Sequence, residues 1–359
     1  MTSKTSITIV LVLIAGFTGP PASADGETGM LLFLSADNLE RQSLEEPALK
    51  KSDFTPTADL LFTYNNRPWR VLGEFFVTDD EAELERLQIG YEFSNGTTFW
   101  VGRFHQPVGT WNYRYHHGAY LQPSISRPSI ENWEDEDGVL PAHITGVMID
   151  GWRQLGENSG LRYAASIGLA PVFESGELAP FDILDPDAGS RKAAGSINIA
   201  YYPDYVGVSN IGVIGGYAEI EVQPDATLGN ITDIRIRQTI LGVQANWERE
   251  KWHFIGAAYH VDTGSRGTGI QIDGTFLSGY FQALYDLSES TNVYSRIERT
   301  RNPETMYLRL RPSYVYRREL LGFRWDFSEQ QALNFEISSN RIVEDQYSEF
   351  RVQWSATFP

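Results

Sequence analysis

The chain has 359 residues, a formal net charge of -18, 32 glycines, an aromatic share of 13% and no cysteine. The last count excludes a disulfide framework, a thiolate metal site and a cysteine nucleophile. An acidic balance without a Lys/Arg-rich tract argues against nucleic acid as a partner. A soluble β-sandwich and a barrel with a polar lumen share such a composition, so the arrangement along the chain must decide.

Residues 1–24 carry Lys4, an apolar run over 7–17 and the small-residue site Ala22-Ser23-Ala24. This pattern reads as a cleaved secretory signal, too short in its apolar part for a spanning helix. It leaves residues 25–359 as the mature protein. Period-2 hydrophobicity then predicts strands over 30–36, 57–65, 68–78, 84–94, 97–105, 143–153, 161–170, 194–203, 208–221, 233–247, 251–262, 273–287, 291–301, 314–327, 331–341 and 347–358, about 16 in all. Alternation is cleanest in Leu87-Ile89-Tyr91-Phe93 and in Leu321-Phe323-Trp325-Phe327. In the closing segment Phe350, Val352, Trp354, Ala356 and Phe358 share one face. It slips between Ile234, Ile236 and Leu241, Val243, where a β-bulge near Thr239 is expected.

Loop lengths carry the strongest signal. Every even-to-odd connection is a short hairpin turn, such as Asn65-Asn66-Arg67-Pro68 or Ser94-Asn95-Gly96-Thr97. The odd-to-even connections include the long ones: 37–56, 106–142, 171–193, 222–232, 262–272 and 302–313. Short turns on one rim and long loops on the other are the mark of an all-β transmembrane antiparallel barrel, with both termini on the periplasmic side. Trp69, Trp100, Trp152, Trp247, Trp252, Trp325 and Trp354 lie near the proposed periplasmic rim. There indole rings would form an aromatic girdle.

The longest loop, 106–142, combines four prolines, many aromatics and the acidic residues Glu131, Glu134, Asp135, Glu136 and Asp137. By strand parity Arg70, Arg86, Arg103, Arg235, Arg237, Arg296, Arg318 and Arg324 point into the lumen. An arginine wall facing an acidic loop would set a transverse field across a pore, although each arginine could instead close a salt bridge with a neighbouring carboxylate. Strand number, loop phase and the size of this loop give a chain that resembles the 16-stranded outer-membrane porins. No acidic glycine motif of the general porins is present, and the lysine-rich lumen of the phosphate-selective porins is missing.

The resemblance implies passage of small hydrophilic solutes or ions through a water-filled channel in the Gram-negative outer membrane. In the porins the third external loop folds into the lumen and sets the constriction, which makes 106–142 the candidate here. It also implies contact with membrane lipid and lipopolysaccharide, a homotrimer, no cofactor and no catalysis. Two alternatives stay open. An outer-membrane barrel enzyme of lipase or protease type would need a serine and histidine pair such as Ser124 or Ser126 with His143, held by a third group. A surface metal- or ligand-binding barrel would use His116 and His117 with Glu131 or Asp135.

Overall fold

The computed structural model describes residues 26–359 except 47, 116–117, 135, 175, 185–190, 224–233 and 267–271. The expected signal over 1–24 lies outside the described residues. Sixteen strands form one closed antiparallel barrel. In chain order they begin with β1 (Glu27–Ser43), β2 (Lys50–Asn66), β3 (Trp69–Val77), β4 (Ala82–Glu92), β5 (Thr97–His105), β6 (His143–Gln154) and β7 (Gly160–Leu169). A small extra hairpin follows, β8 (Val172–Glu174) and β9 (Glu177–Ala179). The wall continues through β10 (Ala193–Tyr202), β11 (Asn210–Val222), β12 (Arg235–Arg249), β13 (Trp252–Arg266) and β14 (Gly274–Ser288). It is completed by β15 (Thr291–Arg301), β16 (Arg317–Ser328), β17 (Gln331–Arg341) and β18 (Gln346–Phe358). The first and last wall strands pair from Leu32↔Phe358 to Ser43↔Tyr347, so the sixteen-strand wall closes without an open edge.

The alternation does what its period demands. In β4, Leu87, Ile89 and Tyr91 are exposed on the outer face while Gln88 and Gly90 face inward. Leu321, Phe323, Trp325 and Phe327 repeat this in β16. The short turns gather on one rim with the start of β1 and the end of β18. Gly96 sits there at φ +77, the left-handed conformation that the Asn-Gly turn needs, and Asn95 Oδ1 accepts from the Thr97 amide at 3.0 Å. Register shifts at Asp286/Ser288 and Asp326/Ser328 precede two of these turns.

Two sequence expectations fail at the outer end. Segment 37–56 is mostly strand, with Asp37↔Thr55 and Arg41↔Lys51 paired. Both β1 and β2 exceed the 9–11 residues a tilted strand needs to cross a bilayer, roughly, so their polar outer ends lose the apolar period but keep the ladder. No bulge occurs at Thr239: β12 keeps register with β11 from Glu221↔Arg235 to Asn210↔Asn246. Ile236 and Ile240 are buried inside, whereas Leu241 and Val243 face out. The phase changes because this wall has something apolar on both sides.

That inner material is a hydrophobic core within the barrel. Val108, Trp111, Ile130, Val139 and Leu140 of segment 106–142 pack with Ile214, Ile236, Ile240, Ile255, Tyr259 and Phe276 of the wall. Phe173 and Leu178 of the β8–β9 hairpin join them, with Tyr307 and Leu308 of a short helix, Met306–Arg309. The tryptophan girdle is smaller than the sequence suggested. Trp69, Trp247, Trp252 and Trp325 are exposed, but Trp100 turns inward and donates to Asp150 at 2.6 Å. Trp152 packs edge-on against Tyr202.

Candidate functional site

Segment 106–142 lies in the lumen, and its polar groups show how it is held. A short helix, Thr110–Arg114, rests on β12 through Thr110 Oγ1, which donates to Gln244 Oε1 at 3.0 Å. The chain then crosses to β16, where Arg324 Nη1 donates to the carbonyls of Tyr120 at 2.8 Å and Gln122 at 3.2 Å. Tyr120 reaches the β16–β17 turn by donating to the Glu329 carbonyl. From there the chain climbs the wall. Ser126 Oγ donates to Glu336, and Ser129 donates to Glu298 through its amide at 2.7 Å and its hydroxyl at 2.6 Å. Arg296 donates to the Ser126 and Arg127 carbonyls, and Arg318 donates to the Arg127 carbonyl at 2.8 Å.

The lumen arginines therefore meet the loop, but not as a wall facing its acids. Arg296, Arg318 and Arg324 clamp its carbonyls and hydroxyls, and these three, like Arg70 and Arg86, are neutralised by wall carboxylates. The pairs are Arg70–Glu92 at 2.6 Å, Arg86–Glu74 at 2.8 Å, Arg296–Glu298 at 2.8 Å, Arg318–Glu298 at 3.2 Å and Arg324–Asp326 at 2.8 Å. Arg103 is buried and donates to the carbonyls of Glu85 and Phe181. Arg235 and Arg237 do not enter the lumen. They alternate with buried Ile236 and Gln238 and are exposed on the outer face. The parity count misplaced them because it took Leu241 and Val243 as lipid-facing and assumed an intervening bulge.

The five acids of the loop separate. Glu131 is sealed beneath it, accepting from the Trp111 amide and the Tyr259 hydroxyl, each at 2.7 Å. Burial raises its pKa. Gly109, at φ +91, makes room for it: a Cβ there would lie 2.5 Å from Glu131 Oε2. Glu134 is buried and accepts from the Ala142 amide at 2.8 Å. Asp137 accepts from the Ser313 amide at 3.1 Å. Glu136 is exposed, and Asp135 lies outside the described residues.

Between this infolded segment and the wall of β1–β4 and β18 is a cavity of about 500 Å³. Its lining is acidic: Asp53, Asp59, Glu74, Asp79, Asp80, Glu81, Glu83 and Glu85 from the wall and rim, Glu134 and Glu136 from the loop. Opposing cations are Arg127, Arg318 and Arg351, and Arg351 is already paired with Asp37 and Glu349. On the rim, burial and then its acidic neighbours Glu85, Glu136 and Asp80 push the Glu81 pKa up. Sequence reasoning reaches Glu134 and Glu136 of the loop, Glu74 of the lumen face and the external-loop acids Asp79, Asp80 and Glu81. It does not reach Asp53, which falls in the expected loop 37–56, or Glu85, which strict alternation would turn outward.

The histidines rearrange as well. His116 and His117 lie outside the described residues, and Glu131 is committed to Trp111 and Tyr259. Ser124, Ser126 and His143 do not form a hydrolytic group: Ser124 is bound to Arg296 and Gln282, Ser126 to Glu336, and His143 to Glu134 and Glu85. His143 instead sits beside His105, with ring centroids 4.9 Å apart.

No family model matches the sequence, and no curated protein resembles it. Solved structures do. The anion-selective porin from Comamonas acidovorans superposes with a TM-score of 0.63 at 11% identity, over 93% of this chain and 100% of that one. The outer-membrane channel DcaP of Acinetobacter baumannii gives 0.59 at 10% identity, over 95% and 99%. The in-vitro folded OmpT of Vibrio cholerae, in its trimer form, gives 0.59 at 10%, over 93% and 100%. At such identities the likeness concerns the backbone. The chain has the fold of the 16-stranded outer-membrane porins of Gram-negative bacteria.

Proposed function

We propose that this protein is a cation-preferring diffusion channel of the outer membrane, with segment 106–142 narrowing the lumen. The carrying observation is the cavity left between that segment and the β1–β4 wall, in which carboxylates far outnumber guanidinium groups. Fixed negative charge in a confined, partly desolvated passage concentrates cations and repels anions within a Debye length, about 8–10 Å at physiological salt. Of the arginines that would oppose this, Arg318 is held by the Arg127 carbonyl and Glu298, Arg351 by Asp37 and Glu349, and Arg127 by bonds within the loop. In this reading Glu134 and Glu136 are the loop residues that face the pathway, while Glu131 and Asp137 hold the loop in shape. The Comamonas neighbour is named for anion selectivity, so the preference belongs to the lining and not to the fold. Insertion of the purified protein into planar bilayers should give discrete conductance steps. A folded barrel that produces none would overturn the channel reading.

A further inference from the structure

A cluster in the barrel wall is built like a metal site, and neither the fold nor the channel reading requires it. His105 on β5 and His143 on β6 are direct cross-strand partners with both rings turned inward. Glu85 on β4 joins them through a local irregularity. The β3–β4 ladder passes from Glu74↔Arg86 to Phe75↔Leu84, leaving Glu85 as the additional residue of a bulge. Strict alternation would send Glu85 out to the lipid face with Leu87. The bulge turns it inward instead, where it is buried, and re-aiming one side chain is what bulges achieve beside functional sites.

We propose that Glu85, His105 and His143 bind a divalent transition-metal ion of the zinc class. The ligand atoms of all three lie within 4.8 Å of one another. Bonds of about 2.0–2.2 Å to imidazole nitrogen and carboxylate oxygen place tetrahedral ligands somewhat closer than this, so a small inward shift closes the set. Two imidazoles and one carboxylate form a donor set that suits zinc and leaves a fourth position for water.

The surroundings fit as well. Glu134 Oε2 lies 2.8 Å from His143 Nδ1 and directs Nε2 toward Glu85 Oε2, 2.5 Å away. A carboxylate on the far nitrogen of a ligating histidine fixes its tautomer and raises its basicity. On binding, the metal replaces the proton held between Nε2 and Glu85, and that proton leaves to solvent. Glu85 and His143 line the acidic cavity, which reaches rim residues Asp79 and Asp80. A cation thus has a charged route from outside.

The competing reading is an imidazolium held between Glu85 and Glu134, a structural bridge with no affinity for metal. The test is calorimetric titration of the full detergent-solubilised barrel with zinc chloride alone, which does not depend on conductance. One saturable site is expected. His105→Gln, His143→Gln or Glu85→Gln should each weaken it at least tenfold, whereas His260→Gln, on the outer face, should leave it unchanged. Glu134→Gln should cost about 10- to 100-fold as a positioning change. Heat-shifted migration on gels establishes that each variant is a folded barrel. Copper(II) substituted in the wild type needs no variant, and its electron paramagnetic resonance spectrum should show two nitrogen ligands. Absence of saturable binding, binding indifferent to His143→Gln, or a copper spectrum without two nitrogens would overturn the proposal.

Discussion

Glu298 concentrates the logic of the lumen at the scale of single residues. One buried carboxylate accepts from Arg296, Arg318 and both donors of Ser129, so it joins the wall to the loop. Removing one partner of a buried ionic group costs about 3–5 kcal/mol because the other charges stay desolvated and unpaired. Glu298→Ala should therefore lower stability by that order in reversible urea unfolding in vesicles. A change below about 0.5 kcal/mol, the usual size of a surface substitution, would show that the clamp carries no stability. Gly109→Ala offers a second check. It forces a side chain into the left-handed region and against Glu131. It should release the helix at Thr110–Arg114, seen as new protease sensitivity of the loop in an otherwise intact barrel. These contacts were only partly legible in the sequence. Parity sent Arg296, Arg318 and Arg324 to the correct face, but their loop partners are backbone carbonyls and serine hydroxyls, which leave no charge pattern to read. Glu85 was missed because a bulge reverses parity silently.

Elements were far more legible than residues, because strand period and turn chemistry act locally. The closing strand and the Asn95-Gly96 turn follow from residue order, whereas the inward bend of 106–142 is an expectation of the porin resemblance. What failed was non-local. Ile236 and Ile240 point inward to meet Val139, Leu140 and their neighbours across the lumen, and no window along β12 contains that fact. Trp100 and Trp152 left the girdle for the same reason, since each satisfies a partner inside the barrel. At this scale the prediction concerns segment 106–142. Cutting it back between Gln106 and Ala142, whose backbones are already bonded at 2.7 Å, should raise single-channel conductance several-fold. An intact barrel with unchanged conductance would mean that the pathway is narrowed elsewhere.

The whole molecule has two features of different character, an outer face and an inner cavity. Around β11 to β14 the outer face carries small residues, Gly215, Gly256 and Gly279, the last paired with Ala258. Gly212 and Gly216, which share β11 with Gly215, face the lumen side instead, where a Cβ on Gly216 would meet Ile240. Small residues there, set between exposed Tyr217, Leu241 and Phe281, suit close approach of a second barrel, as the porin resemblance implies. The protein is expected to run as a trimer in mild detergent, and Gly256→Trp with Gly279→Trp should reduce it to monomer. A monomeric mass for the wild type would refute this.

The acidic cavity is the other molecular-scale feature, and it gives selectivity a pH dependence of known sign. A raised pKa keeps a carboxyl neutral up to a higher pH than a free one. Cation preference carried in part by Glu81, whose pKa burial and the neighbouring carboxylates raise above that of a free carboxylate, should therefore begin to fall before ordinary carboxylates titrate as the solution is acidified. Reversal potential across a planar bilayer in a potassium chloride gradient tests the central claim most directly. The wild type at neutral pH should show the cation sign, and joint replacement of Asp79, Asp80, Glu81, Glu134 and Glu136 by Asn or Gln should move it toward zero. An anion sign in the wild type, or a potential indifferent to those five replacements, would contradict an acid-lined, cation-preferring pore.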